Sequence, residues 1–230
     1  MRRVLVTSQV NPRFGFTMMP ADWIFSQKAV VFCIDSYSGF GTIQSRVHET
    51  WARFLSSTSI ELMSYTPSDC FETFPFPENW ETDQALEAAS KVYYKFRASL
   101  MLENNEGLTK TYNRFHDPEE RDPDILKLRE LHAAMDRAVL DTYGWSSIKT
   151  DCEFLLDYEI DEEEWGGKKK PWRYRWPDEA RDDVLALLLE LNAARAKEEL
   201  RSGAAAARKG GKKLTAKRTR RISETEDLFS

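Results

Sequence analysis

Three stretches of this chain hold residue types that can do chemistry, and their spacing decides what they can do. His48-Glu49-Thr50-Trp51-Ala52 begins like the zinc motif HExxH, but position 52 is alanine. That chemistry needs two histidines one helical turn apart on the same face, so the ligand set fails and the segment reads as part of an amphipathic helix. Gly39-Phe40-Gly41 holds two glycines of the kind found in cofactor loops. A phosphate-cradling loop needs more glycines between a strand and a helix and an acid further on, so this pair reads as a turn. The acids Asp157, Glu159, Asp161, Glu162, Glu163 and Glu164 lack the spacing of a calcium loop. They read as a solvated loop opposite Lys168–Lys170. His48, His116 and His132 are far apart in sequence, and no Ser/His/Asp set, Cys/His set or paired carboxylates stands at a telling spacing.

Two further runs are rich in cations. Lys168-Lys169-Lys170-Pro171-Trp172-Arg173-Tyr174-Arg175-Trp176 interleaves rings with positive charges. Such a run can stack on bases and neutralise phosphates. It can equally dock a loop on helices, with its arginines answering the acidic run. Residues 208–221 carry eight basic side chains, Arg208, Lys209, Lys212 and Lys213 among them, and no acid. They suit phosphate contact without sequence preference, or a solubilising end.

The elements that must position these residues predict an α+β protein. Arg3–Thr7 and Ala29–Ile34 are rich in β-branched and aromatic residues and read as strands. Ala29–Ile34 is almost wholly apolar, which predicts burial on both faces. From Gly41 the period changes: Ile43, Val47, Trp51 and Phe54/Leu55 mark one face of a helix, with Gln44, Arg46, Glu49 and Arg53 on the polar side. The stretch Tyr65–Pro77 holds three prolines and three phenylalanines, so it reads as an extended connector pinned by aromatic anchors. A helix capped by Thr82 or Asp83 follows, with Leu86, Ala89, Tyr93, Phe96 and Leu100 as its stripe. A short helix is expected over 108–115. The next is capped by Asp122 with Pro123 at its first position and carries the stripe Ile125, Leu128, Leu131, Met135 and Val139. Residues 145–176 read as irregular, and a last helix as running from about 177 to 200 with acids at its start and bases near its end. The expected organisation is a small β-rich lobe over residues 1–80, a helical lobe over 81–201 and a disordered basic tail over 202–230.

Composition narrows the function classes. The chain has 230 residues and a net charge of −5, so the part outside the basic run is strongly acidic. A body of that charge does not behave as a generally basic DNA binder, and nucleic-acid contact must be local. Cys33, Cys70 and Cys152 form no CxxC pair, which argues against a disulfide framework or zinc site and for a reducing cytoplasm. No apolar run approaches the length of a membrane span.

Several segments taken together resemble a known family. They are Gln44-Ser45-Arg46-Val47-His48-Glu49-Thr50-Trp51-Ala52-Arg53, the connector Tyr65–Pro77, Gly107-Leu108-Thr109-Lys110-Thr111-Tyr112-Asn113-Arg114-Phe115-His116-Asp117-Pro118, Asp151-Cys152-Glu153-Phe154, and Trp172-Arg173-Tyr174-Arg175-Trp176-Pro177. They are similar to the C-terminal region, target recognition plus helices, of adenine-specific DNA methyltransferases of type IIG/IIL-like restriction–modification systems and related phage-defence methylases. In such enzymes a catalytic domain binds S-adenosylmethionine and methylates adenine N6, and the C-terminal region reads the DNA.

The resemblance implies double-stranded DNA and a catalytic methyltransferase domain or subunit as partners. The family's Asn/Asp-Pro-Pro-Tyr/Phe motif, which holds the flipped adenine, is missing from this sequence, as is its glycine-rich cofactor strand. No catalytic residue, metal ligand or cofactor contact is therefore expected in this chain, and S-adenosylmethionine belongs to the separate catalytic domain. The expected function is DNA target recognition by a split subunit, a truncated product or a fragment. The candidate DNA contacts are Gln44, Arg46, Arg53, Lys169, Arg173, Arg175, Arg208, Lys209, Lys212 and Lys213, because arginine and glutamine read base edges and cations hold phosphates. For each of the first three the plain alternative is a surface ion pair. The rival function is a helical scaffold that docks on a methyltransferase or nuclease subunit without touching DNA.

Overall fold

The structure is a computed structural model, and it describes residues 1–11, 13–56, 58–59, 62–158 and 170–203. Lys168, Lys169, the acids at 159 and 161–164, and the basic residues of 208–221 lie outside the described residues.

The fold is α+β. Strand β1 (Arg3–Ser8) is the centre of an antiparallel sheet flanked by β3 (Thr17–Pro20) and β4 (Ala29–Phe32). Val6 pairs with Thr17 on one side and with Val31 on the other. Strand β2 (Val10–Asn11) leaves this sheet and pairs with β6 (Leu62–Ser64), which also pairs with β5 (Thr58–Ser59). The strands read from the sequence are present, with one correction. Along β4 and the residues after it, Val30, Phe32 and Ile34 are buried while Val31 and Cys33 are exposed. An edge strand with one face on the core alternates, so the apolar run is not buried on both faces.

The helix expected from Gly41 onward is two helices. Helix α1 (Tyr37–Gln44) starts four residues earlier, where the Ser36 side chain accepts the Gly39 N–H. Helix α2 (Arg46–Leu55) follows after Ser45 alone, whose hydroxyl accepts the His48 N–H. A serine between two helical runs satisfies an orphan donor of the second and so permits the break. Every residue of α1 from Ser38 to Gln44 is buried.

The connector after β6 is ordered by its rings. Tyr65 and Phe74 are buried, and Phe71, Phe74 and Phe76 meet edge to face. It contains one short helix, α3 (Pro67–Cys70), which Pro67 can open because the first helical position lacks an intrahelical N–H bond anyway. Helix α4 (Gln84–Glu103) is capped by Asp83, α5 (Leu108–Phe115) follows Gly107, and α6 (Pro123–Thr142) is capped by Asp122. Residues 145–176 are not wholly irregular: β7 (Glu153–Leu156) and β8 (Trp172–Arg175) form a two-stranded antiparallel ribbon. Helix α7 spans Asp178–Arg201.

The described residues up to Leu188 form one compact unit. Within this unit the core does not divide near residue 80. One cluster joins Leu5, Phe16, Phe32 and Phe40 to Tyr93, Tyr112, Ile125 and Met135. A second joins Val47, Trp51 and Phe74 to Leu86, Val139, Trp176, Val184 and Leu188. Among the described residues no helix is long and apolar enough to cross a membrane.

Candidate nucleic-acid interface

Four of the segments that carry the resemblance are joined by hydrogen bonds around α2. His48 Nε2 lies 2.9 Å from the Tyr65 hydroxyl, and the Trp51 indole donates to Thr73 Oγ1 at 3.1 Å. Arg46 Nη2 donates to the Tyr174 carbonyl at 3.2 Å, and the Tyr174 N–H donates to His116 Nδ1 at 3.1 Å. Residues from 46–51, 65–73, 116 and 174 therefore share one hydrogen-bonded assembly.

Arg46 is its centre. Its Nη1 donates to Asp136 Oδ2 at 2.6 Å and to His132 Nδ1 at 2.8 Å. The other oxygen, Asp136 Oδ1, accepts the Arg46 backbone N–H at 2.9 Å. A guanidinium always carries its protons, so Arg46 is the donor and His132 Nδ1 the acceptor. The 3.2 Å approach of His132 Nδ1 to Asp136 Oδ2 is then two acceptors held by one shared cation. Burial and Arg46 keep His132 neutral against the pull of Asp136. Burial opposes the charge on Asp136, yet the guanidinium and the backbone N–H of Arg46 hold its carboxyl below the usual range.

Gln44 is committed elsewhere. Its Nε2 donates to the Phe14 carbonyl at 2.9 Å, and its Oε1 accepts the Phe16 N–H at 3.0 Å and Arg97 Nη1 at 3.1 Å. The side chain thus completes the backbone pairing of residues 14–16. Gln44 and Arg46 are 2% and 5% exposed. Both expectations of DNA contact are corrected here: side chains this buried, with their groups spent on internal partners, reach no base edge or phosphate. Arg97, which the sequence reading passed over, is a second buried cation. It also donates to Phe16 O and Tyr112 O–H and lies over the rings of Phe40, Tyr93 and Tyr94.

Outside this knot lies a cavity of about 450 Å³ lined by Arg46, Arg53, Arg173, Arg175 and Arg181, with the acids Glu49, Asp157 and Asp182. Phe54, Tyr158, Trp176 and Leu185 supply its rings and apolar surface. Helix α2 presents Glu49 and Arg53 one turn apart, and the β7–β8 ribbon brings Arg173 and Asp157 against them. Arg53 Nε lies 2.9 Å from Glu49 Oε1, and Arg53 Nη1 lies 3.4 Å from Asp157 Oδ1. Arg173 pairs with the same Glu49 oxygen through Nη2 and lies 3.8 Å from Asp157 through Nε. These four groups form a closed ring of two cations and two anions. Burial would raise Glu49, but Arg173 and Arg53 outweigh it and hold its carboxyl at about 2. Arg173 is pulled down to about 10, chiefly by burial and then by its neighbour Arg53.

Of the expected DNA contacts, this cavity gathers Arg46, Arg53, Arg173 and Arg175, and adds Arg181. Arg46 and Arg173 line it but are buried and held by Asp136 and Glu49, so the expectation of DNA contact at Arg173 is corrected with that at Arg46. Arg53, Arg175 and Arg181 keep 31%, 22% and 42% of their side-chain surface in solvent. Arg175 Nη1 is 2.6 Å from Asp178, which Arg181 also meets at 2.8 Å. Of the two positions that could end the apolar stripe of α2, Leu55 packs on the core and Phe54 is 54% exposed. Comparison of the chain with family models, with curated proteins and with solved structures finds no match.

Proposed function

We propose that this chain is the target-recognition portion of an adenine-specific DNA methyltransferase of a restriction–modification or phage-defence system, acting with a catalytic domain that lies elsewhere. The observation that carries the reading is the convergence of the partly exposed Arg53, Arg175 and Arg181 on one cavity beside the exposed ring of Phe54. Guanidinium forks suit phosphate oxygens and base edges, and an exposed ring offers a surface on which a base can stack. The reading rests equally on the family resemblance of residues 44–53, 65–77, 107–118 and 172–177. The hydrogen bonds that tie those segments together at α2 support their acting as one structural unit.

The chain's role is to hold and orient DNA, and the methyl donor belongs to the catalytic partner. A gel shift of the purified chain with duplex DNA, read against salt, tests the reading. Phosphate contacts give binding that weakens steeply as salt rises. Calorimetry with S-adenosylmethionine is expected to show no tight binding. A shift absent at low salt contradicts the proposal.

The rival, a scaffold that docks on a catalytic or nuclease subunit without touching DNA, draws on a different observation. In the loop between β3 and β4, Trp23 and Ile24 are 57% and 101% exposed. Adjacent bare apolar side chains of this size suit a protein contact. Substituting both with serine leaves DNA binding unchanged under the first reading and abolishes subunit capture under the second.

A further inference from the structure

The ring of charges around Glu49 is uneven. Both arginines approach Glu49 closely, whereas Asp157 stands 3.4 Å from Arg53 and 3.8 Å from Arg173. Contacts of that length are ion pairs without good hydrogen bonds. Asp157 follows the last residue of β7 and keeps 21% of its side-chain surface in solvent. Trp176 lines the same cavity, is 2% exposed, and its indole N–H has no hydrogen-bond partner among the described residues. A buried donor without a partner marks a place where an acceptor gains a full hydrogen bond.

We infer that the cavity is a gated phosphate site, in which Asp157 occupies the anion position and a phosphate oxygen of bound DNA replaces it on Arg53. The inference deepens the DNA-recognition reading and rests on it for the source of the phosphate. Glu49 stays in place and keeps both guanidinium planes oriented. The incoming oxygen takes the fork of Arg53 in the field of Arg173, and the freed Asp157 turns to solvent. No covalent step is involved. While it holds the anion position Asp157 repels phosphate, so binding is weaker than the lining arginines suggest and depends on one carboxylate.

The test uses the full chain, its Asp157→Asn variant and two Arg53 variants. Thermal melting is followed in sodium phosphate and in sodium chloride at matched ionic strength, with inorganic phosphate as the probe. Asp157→Asn is expected to be stabilised at about tenfold lower phosphate than the unsubstituted chain, because one nearby negative charge is gone. Arg53→Gln loses the phosphate-specific gain, and Arg53→Lys retains part of it. Equal phosphate dependence in the unsubstituted chain, Asp157→Asn and Arg53→Gln overturns the inference. Should Asp157→Asn fail to fold, the two Arg53 variants decide: equal gains in Gln and Lys overturn it, and a gain only in Lys supports it.

The same proteins are then titrated with a labelled duplex by fluorescence anisotropy. Asp157→Asn tightens binding, and Arg53→Gln weakens it and lowers the salt slope by about one. Duplex binding indifferent to both substitutions removes the gated site and leaves DNA recognition standing. A phosphate effect without duplex binding keeps the site and removes DNA as its source.

Discussion

Asp136 grips Arg46 twice, through the guanidinium at 2.6 Å and through the backbone N–H of the first residue of α2 at 2.9 Å. One carboxylate of α6 thereby caps α2 and neutralises its buried cation, fixing the two helices to each other. Removing one partner of a buried pair strands the other charge, which costs about 3–5 kcal/mol. Asp136→Ala is expected to lose that much in urea denaturation. Replacing both residues by apolar ones of similar size, as in Arg46→Met with Asp136→Leu, costs less than the single change. A loss under about 1 kcal/mol for Asp136→Ala contradicts this role.

Acid sensitivity follows from three buried histidines. Burial drives His48 down to about 3, and burial lowers His116 and His132 as well, with Arg173 adding to the effect at His116. In the unfolded chain each titrates near 6.5, so below that pH the unfolded state binds protons that the native state refuses. Their contribution is therefore complete above about pH 6.5 and declines as pH falls toward the native values, by up to about 1.4 kcal/mol per pH unit for each histidine. Glu49 and Asp136 have lowered native values, so their contribution persists to more acid pH and is lost only below the ordinary carboxylate range. Urea denaturation at pH 7.5, 6.5 and 5.5 is expected to show falling stability across the last step. A flat profile contradicts the neutral buried state of these rings.

Helices α1 and α4 touch at Gly41. A Cβ placed there would lie 1.8 Å from Ser90 Oγ and 2.8 Å from Ser90 Cβ. Glycine is required by proximity and not by a turn. Gly41→Ala is expected to lower stability by about 1–3 kcal/mol, the usual range for overfilling a packed contact. Adding Ser90→Gly removes both clashing atoms and is expected to restore part of the loss. Thermal melting of the single and double variants checks this, and a double variant no better than Gly41→Ala alone contradicts it.

Much of the fold was legible because its signals are local. Strands β1 and β4, the Asp122–Pro123 start of α6 and the aromatic pinning of 65–77 follow from side-chain type and spacing. What was missed depends on distant partners. Ser45 reads as one more polar position until its hydroxyl is seen capping α2. The buried stripe of α4 runs through Ser90 and Arg97, whose polar character hid them from an apolar pattern. Strands β7 and β8 are four residues each and far apart in sequence, so neither announces the other. The cavity itself was half legible: the aromatic–basic run named Arg173 and Arg175. Nothing local paired Arg173 with Glu49, 124 residues away, or marked Gln44 and Arg46 as buried.

The proposal that this chain reads DNA is decided by selection from a randomised duplex library with the purified full chain near physiological salt. Cationic residues alone bind any sequence, whereas recognition through placed arginines and an exposed ring enriches one. The account predicts that a short motif emerges over successive rounds and that Arg53→Gln blurs or abolishes it. Recovered sequences that stay random, or a chain that retains no duplex, contradict it.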